Sequence, residues 1–215
     1  MMGLLITFEG VEGAGKTTQI ERSRDWLQHH FNNKIPIITT REPGGTILGQ
    51  ELRRLLLAIT QPTMQPTTTT ELLLYAADRA QHVEEMLKPE LERGAIILCD
   101  RYTDSTIAYQ GLGRGIDLKL INSLNKIATG GLESNLTFWL DVEVEIGLKR
   151  AKERGKQSDR IESSDLAFHE RVRQGFAQLA AQNPHRIVKI DARPSASDVQ
   201  IKIQQILRKF FRERE

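Results

Sequence analysis

The segment Gly10–Thr17 reads GVEGAGKT and fits the phosphate-loop pattern G-x-x-x-x-G-K-[ST]. Its glycines allow successive backbone N–H groups to turn around phosphate oxygens, Lys16 can reach the β- and γ-phosphates, and the Thr17 hydroxyl can bind Mg²⁺. An apolar strand is predicted before the loop and a helix after it, and the helix presents its positive end to the same anion. These features predict a site for a purine nucleoside triphosphate with Mg²⁺. The predicted phosphate-binding residues are Gly10, Val11, Glu12, Gly13, Ala14, Gly15, Lys16, Thr17 and Thr18.

A second group of polar residues follows the apolar run that ends at Cys99. Asp100 stands where a Walker-B carboxylate would hold Mg²⁺, partly through water, and Arg101 offers a planar fork for phosphate. Glu12 is unusual, because a carboxylate that points into a phosphate loop repels phosphate. We therefore expect it to turn across the cleft toward the acceptor, where it could accept a hydrogen bond from a sugar hydroxyl. A solvated loop residue is the alternative.

Short apolar runs alternate with amphipathic stretches along the chain, and this order predicts a parallel sheet with helices on both faces. The carboxyl ends of such strands collect ligands, and two of the runs end in aspartate, at Asp100 and Asp141. The fold class is therefore α/β with five parallel strands. The predicted strands are Leu4–Phe8, Ile35–Thr39, Ala95–Asp100, Leu136–Asp141 and Arg186–Asp191.

Length and composition predict one domain over residues 1–215. Hydrophobic residues make up 39%, enough for a sizeable core, and the formal net charge of +2 excludes a general nucleic-acid coat or a polybasic membrane binder. A single cysteine excludes an internal disulfide framework. The apolar runs are too short to cross a bilayer and no signal peptide is evident. We expect a cytoplasmic protein that binds neither nucleic acid nor a membrane.

The phosphate loop occurs in several classes of protein. A GTPase would need N-K-x-D, but the candidate at 125–128 reads NKIA and lies in a helical pattern. A motor ATPase would normally need a longer chain. A chain of this length suits a small kinase that moves a phosphoryl group between nucleotides, with a nucleotide-binding regulator or motor ATPase as the alternative.

Five motifs together resemble the thymidylate kinases, a family of P-loop nucleoside-monophosphate kinases. The resemblance covers nearly the whole chain and implies the P-loop kinase fold. It also implies transfer of the γ-phosphoryl group of ATP to dTMP with Mg²⁺, giving dTDP and ADP in dTTP biosynthesis, by a homodimer. Another pyrimidine monophosphate kinase or a deoxynucleoside kinase is the closest alternative. The motifs are FEGVEGAGKTTQ at Phe8–Gln19, TREPGGT at Thr40–Thr46, LLYAADRAQH at Leu73–His82, DRYTDSTIAYQGLGRGI at Asp100–Ile116 and DRIESSDLAFHERVRQGF at Asp159–Phe176.

The resemblance also implies roles for residues that would hold dTMP. Tyr75 would stack on the base, and Arg79, one helical turn away, would donate to thymine O4. Gln110 would pair with thymine N3–H, and Tyr109 would lie against the deoxyribose. Arg54 points about 100° away from Arg53 on a helix, so only one of the two should face the site. The implied substrate-binding residues are Glu12, Glu42, Arg53, Tyr75, Arg79, Arg101, Thr106, Tyr109 and Gln110.

The catalytic charge is expected to come from a lid at about 150–164. Some members of the family carry an arginine in the phosphate loop directly after the acidic residue, but here that position is Gly13. The compensating arginines would be Arg150, Arg154 and Arg160, of which Arg154 is preferred because it precedes a glycine break. The resemblance does not decide which of them contacts the transferring group. The predicted catalytic residues are Lys16, Asp100, Arg101, Arg150, Arg154 and Arg160, with Thr17 and Asp100 on the metal.

Overall fold

Five buried apolar runs pair as parallel strands in the computed structural model, which describes residues 3–57, 65–153 and 160–214. The strand order is β2-β3-β1-β4-β5. In register, β1 pairs Leu4 with Ile96 of β3 and Ile6 with Leu136 of β4. The five-stranded parallel sheet predicted from the sequence is confirmed. The strands are β1 Leu4–Glu9, β2 Ile37–Arg41, β3 Ile96–Asp100, β4 Leu136–Asp141 and β5 Ile187–Asp191.

The second strand lies two residues later than predicted. The run was expected at Ile35–Thr39, but pairing with β3 begins at Ile37, because Pro36 has no backbone N–H to donate. It continues to Arg41, which lies opposite Asp100. The strand therefore brings the turn after Arg41 to the same edge of the sheet as the end of β3.

Helices connect the strands, and several carry N-terminal caps. Thr67 caps α3, Asp117 caps α6 and Asp165 caps α8, each through a side-chain oxygen that accepts a backbone N–H. The helices are α1 Lys16–His30, α2 Ile47–Leu57, α3 Thr68–His82, α4 Lys88–Glu92, α5 Thr103–Thr106, α6 Leu118–Thr129, α7 Val144–Glu153, α8 Leu166–Gln182 and α9 Ala196–Arg212, with π-helical turns at Val83–Leu87 and Ile107–Gly113.

The apolar side chains of β1 alternate between two cores, one on each face of the sheet. Ile6 and Phe8 belong to the larger core, which includes residues of α1, α8 and α9. Leu5 faces the other way and packs with Val83 and Leu87. Helices therefore cover both faces, as predicted, and all the described ranges flank one sheet. The single-domain organisation stays a prediction for the whole chain.

Each of the five strands ends at a charged residue on one edge of the sheet: Glu9, Arg41, Asp100, Asp141 and Asp191. Ligands of open parallel sheets bind beyond this edge. Within the described ranges, no helix has the length and apolar character that crossing a membrane would require.

Candidate active site

The phosphate loop joins β1 to α1 and curls around the amine of Lys16. That amine donates to the backbone oxygens of Gly10 and Val11, both at 3.1 Å, and the side chain is buried. Burial and the neighbouring Arg101 lower the pKa of Lys16. The loop thus holds a cation at its mouth before any phosphate arrives.

The loop packs directly on helix α7 through two glycines. Gly13 has φ +71°, and a Cβ added there would lie 1.8 Å from the backbone oxygen of Gly147. A Cβ on Gly147 would lie 2.4 Å from the backbone oxygen of Glu12. Neither position has room for a side chain, so the loop and α7 are in backbone contact.

Thr17 and Asp100 form the candidate metal site. The Thr17 hydroxyl donates to Asp100 Oδ2 at 3.4 Å, while Asp100 Oδ1 is buried without a hydrogen-bond partner in the described part of the chain. Within the same part, no three His, Cys, Asp or Glu side chains gather into a metal-binding group. A hydroxyl and one carboxylate fit Mg²⁺, which keeps several waters and binds phosphate oxygens as well.

Arg101 lies between the phosphate loop and a second pocket. Its backbone has φ +72°, a conformation that is costly for a residue with a side chain. The guanidinium donates to the oxygen of Gly10 at 3.1 Å and to Ser105 Oγ at 3.2 Å, and its Nη2 pairs with Glu12. Arg101 therefore contacts both the phosphate loop and a residue of the second pocket, Ser105.

Glu9, the last residue of β1, holds the strained turn around Arg101. Its carboxylate accepts Tyr102 N at 2.8 Å, Ser105 N at 3.2 Å and Ser105 Oγ at 2.6 Å. Glu9 is fully buried, and this burial, with the nearby Asp104, raises the pKa of Glu9 to about 7. The carboxyl group thus stabilises the turn at Arg101, although burial at this position disfavours its own ionisation.

The second pocket lies between the phosphate loop and α3. Glu12 points across the cleft into it, where the Tyr109 hydroxyl donates to Glu12 at 3.2 Å and the Arg101 guanidinium lies 4.8 Å from the Tyr109 ring. Burial opposes ionisation of Glu12, but Arg101 and Lys16 outweigh it and lower the pKa to about 2. The pocket is lined by Glu12, Glu42, Pro43, Arg53, Leu57, Tyr75, Asp78, Arg79, Arg101, Ser105, Thr106, Tyr109, Gln110 and Ile161.

A buried ion pair forms the back wall of this pocket. Arg79 Nε donates to Glu42 Oε2 at 2.8 Å, and His82 Nδ1 lies 2.9 Å from Glu42 Oε1. Burial raises the pKa of Glu42, but Arg79 and the His82 hydrogen bond outweigh this effect and lower it. Arg79 also donates to Thr106 Oγ1 at 2.8 Å and to Asn125 Oδ1 at 2.6 Å.

A groove on the opposite side of the phosphate loop is the candidate nucleoside site of the donor. It lies between the loop and the start of α9, and Arg150 of α7 lines it. Arg150 donates to the backbone oxygens of Ala192 and Arg193 at 2.8 and 2.9 Å. Residues of the phosphate loop thus line two cavities, Glu12 the pocket beside α3 and Gly13, Ala14 and Gly15 this groove.

Comparison with known proteins agrees with this arrangement. A sequence model described as thymidylate kinase matches residues 8–203. The chain belongs to the thymidylate kinase family. It is 58% identical to a thymidylate kinase of Nostoc punctiforme over 210 residues, covering 97% of both chains. It is 55% identical to one of Trichodesmium erythraeum over 217 residues, covering 96% of both. The crystal structure of thymidylate kinase from Ehrlichia chaffeensis matches with a TM-score of 0.79 at 34% identity, covering 96% of this chain and all of that one.

The structure brings the residues expected to bind the monophosphate to one pocket. Arg53 lines it and donates to the backbone oxygen of Pro43 at 2.9 Å, whereas Arg54 is largely exposed and pairs with Glu51. Of these two neighbouring arginines, Arg53 is the one that lines the pocket. The other residues of the predicted substrate set, Glu12, Glu42, Tyr75, Arg79, Arg101, Thr106, Tyr109 and Gln110, also line the pocket. Their contacts with a nucleotide remain predictions.

Arg79 makes more hydrogen bonds within the protein than a side chain that only binds a nucleotide base would need. Its side chain is 3% exposed, and its Nη2 donates to the Tyr102 oxygen at 2.9 Å. With the bonds to Glu42, Thr106 and Asn125, four of its five N–H groups are used. One Nη2 proton remains for a ligand such as thymine O4.

Two of the three lid arginines predicted from the sequence, Arg150 and Arg160, lie in different parts of the structure. Arg150 belongs to helix α7 rather than to a separate lid, and it faces the donor groove. Arg160 precedes Ile161, which lines the second pocket; its Nη2 pairs with Glu71 Oε2 at 2.5 Å and its Nε donates to the Leu56 oxygen. Arg154 lies outside the described residues.

Sequence reasoning did not single out three buried carboxylates beside the site. Glu9 holds the Arg101 turn, Glu71 holds Gln110 and Arg160, and Asp78 accepts Gly44 N at 2.9 Å. Burial, with the nearby Glu42, raises the pKa of Asp78 to about 6. For Glu9 the available signal was a charged residue at the end of an apolar strand. Glu71 stands one turn before Tyr75 on the same helix.

Proposed function

We propose that this protein transfers the γ-phosphoryl group of ATP to dTMP, giving dTDP and ADP. The observation that carries the proposal is the position of Arg101, which contacts Gly10 and Glu12 of the phosphate loop and Ser105 of the monophosphate pocket. One guanidinium can therefore bind the acceptor phosphate while it lies beside the donor phosphates. Membership of the thymidylate kinase family identifies the acceptor as thymidylate.

In the proposed reaction, an oxygen of the dTMP phosphate attacks the γ-phosphorus in line, and the bond to the β–γ bridging oxygen breaks. The attacking oxygen is already anionic, so no strong general base is required. The protein contributes position and positive charge: Lys16 at the loop mouth, Arg101 on the acceptor and Arg53 further into the pocket. Mg²⁺ held by Thr17 and Asp100 would offset phosphate charge.

One of the predicted lid arginines contributes the remaining positive charge in this proposal. The transferring group carries negative charge on its equatorial oxygens, and Gly13 has no room for an arginine in the loop. We assign this role to Arg154, because Arg150 faces the donor groove and Arg160 is paired with Glu71. Closure of this segment over the site would also exclude water and so limit ATP hydrolysis.

Coupled measurement of ADP formation tests the proposed function. Purified protein with ATP and Mg²⁺ should form ADP only when dTMP is added, and the product should be dTDP. The acceptors dUMP, UMP, CMP, AMP and thymidine, assayed side by side, separate this reaction from other pyrimidine monophosphate and deoxynucleoside kinases. ATP consumption that is unchanged by every acceptor would overturn the proposal in favour of a nucleotide-driven switch or motor.

We also propose that the protein acts as a homodimer through α2, α3 and α6, which pack side by side. Exposed apolar side chains gather on these helices: Ile47, Leu55, Leu73, Leu120 and Ile127, with Ile127 78% exposed. An apolar surface of this kind is typical of an interface between subunits. Ile127→Glu should convert a dimer to a monomer in light scattering. Ile201→Glu, on α9, is the matched control and should leave the dimer intact.

A cytoplasmic location, where ATP and dTMP are available, belongs to the same proposal.

A further inference from the structure

Glu71 is a buried carboxylate on the first turn of α3 with two kinds of partner. Its side chain is 2% exposed, and Oε1 accepts a hydrogen bond from Gln110 Nε2 at 2.9 Å. Oε2 accepts Arg160 Nη2 at 2.5 Å and Arg114 Nη2 at 3.5 Å. Both guanidinium groups and the Gln110 amide therefore donate to Glu71, whose two oxygens act here as acceptors.

This contact decides which end of the Gln110 amide faces the pocket. A carboxylate only accepts hydrogen bonds, so Gln110 must turn its NH₂ group toward Glu71. The carbonyl oxygen Oε1 is then the end of the amide left for a ligand. Gln110 lines the monophosphate pocket, and its Oε1 accepts no hydrogen bond from any residue in the described part of the chain.

We propose that Glu71 is a specificity-determining residue: by fixing the Gln110 amide with its oxygen toward the ligand, it makes the pocket select pyrimidines that carry a proton on N3. Thymine and uracil donate from N3–H to this oxygen. Cytosine presents a bare N3 acceptor there, and two facing acceptors repel each other. The proposal rests on the proposed function, since it requires that a pyrimidine monophosphate occupies this pocket.

Glu71→Gln is the informative substitution, because it keeps the shape of the side chain and changes its hydrogen bonding. Arg160 still requires an acceptor, so it selects the new amide oxygen and leaves the new NH₂ group facing Gln110. The Gln110 amide then turns over and presents Nε2 to the ligand. The ratio of kcat/KM for dTMP to that for dCMP should fall at least about tenfold, because a site built for one hydrogen-bond pattern rejects the other.

Three further variants separate orientation from general damage. Glu71→Asp keeps an acceptor-only group and should keep the dTMP/dCMP ratio, even if both rates fall. Arg114→Gln removes the more distant partner of Glu71 and should also keep the ratio. In a Gln110→Met background, Glu71→Gln should change the ratio by less than about twofold, because its effect passes through the amide.

Dissociation constants for dTMP and dCMP, measured by calorimetry on each folded variant, provide a readout that does not depend on turnover. Equal losses for both nucleotides in Glu71→Gln would overturn the inference and leave a structural role. If Glu71→Gln does not fold, Glu71→Met replaces it and should also lower the ratio, because the amide is then free to turn.

Different results would contradict the proposed function and the inference on Glu71. A wild-type protein that binds dTMP more tightly than dCMP but phosphorylates neither contradicts the proposed function and supports the inference on Glu71. A wild-type protein that phosphorylates dTMP and dCMP equally well overturns the inference on Glu71 alone.

Discussion

Replacing Glu9 with glutamine tests how much unfolding free energy the protein loses by burying an ionisable carboxyl group at the Arg101 turn. Folding raises the pKa of Glu9 from 4.5 to about 7, mainly because the carboxyl group is buried. The folded protein therefore binds this proton more tightly than the unfolded chain does. The resulting contribution to stability is complete below pH 4.5 and is lost as the pH rises through about 7.

The expected magnitude follows from the size of this shift. A difference of about 2.5 pH units between the two states corresponds to roughly 3 kcal/mol of unfolding free energy. Glutamine imitates the protonated acid, since its oxygen can accept Tyr102 N and Ser105 N while its NH₂ group donates to Ser105 Oγ. Glu9→Gln should therefore lose this pH dependence. Relative to wild type, it should gain up to about 3 kcal/mol between pH 5 and 8.

Urea unfolding at pH 5, 6, 7 and 8 measures this difference, with the fluorescence of Trp26 and the buried Trp139 as the probe. Asp78, whose pKa is raised to about 6, contributes a similar slope at lower pH in both proteins, so only the difference between them is informative. Wild-type and Glu9→Gln stabilities that run parallel across this range would refute the reasoning.

Three further substitutions test the charges around the site. Lys16→Ala should lower turnover by orders of magnitude, measured as dTMP-dependent ADP formation, with the thermal midpoint nearly unchanged. Arg79→Ala should lower the unfolding free energy by roughly 3–5 kcal/mol, measured in urea, because it leaves the carboxylate of Glu42 buried without its arginine. Arg154→Ala should lower saturated turnover at least about a hundredfold with little change in dTMP affinity.

Each of these expectations has a result that contradicts it. Turnover within about threefold of wild type in Lys16→Ala, with ATP still bound, would remove Lys16 from the reaction. An unchanged denaturation midpoint in Arg79→Ala would mean that the contact with His82 is enough to stabilise the buried carboxylate of Glu42. Near-normal turnover in Arg154→Ala, Arg150→Ala and Arg160→Ala alike would leave Lys16 and Arg101 as the catalytic cations.

The sheet could be predicted from the sequence because its signal is local. Five short apolar runs identified the strands, and the rule that ligands gather at their carboxyl ends placed Asp100 at the site. Local geometry also indicated that Arg53 and Arg54 would not face the same way, since neighbours on a helix point about 100° apart. These inferences need only the spacing of residues along one segment.

The hydrogen bonds that the buried carboxylates make to residues far away in the sequence could not be predicted in this way. Glu71 and Gln110 are 39 positions apart, and Glu9 and Ser105 are 96 apart. Their pairing depends on how α3 and the π-helical turn after β3 pack, which no local pattern specifies. Arg160 shows the same limit: its charge suggested a role in the lid, but in the structure it pairs with Glu71, a carboxylate of α3.

The contact between Gly13 and Gly147 limits the routes by which such an enzyme can evolve. An arginine at position 13 would place its Cβ 1.8 Å from the backbone of α7, in a backbone conformation that side chains rarely adopt. A lineage with this packing cannot gain an arginine in the loop by one substitution. Helix α7 would have to shift first, and that shift brings no benefit until the arginine arrives. A phosphate loop with glycine at position 13 and one with arginine there are therefore separated by intermediates that selection disfavours.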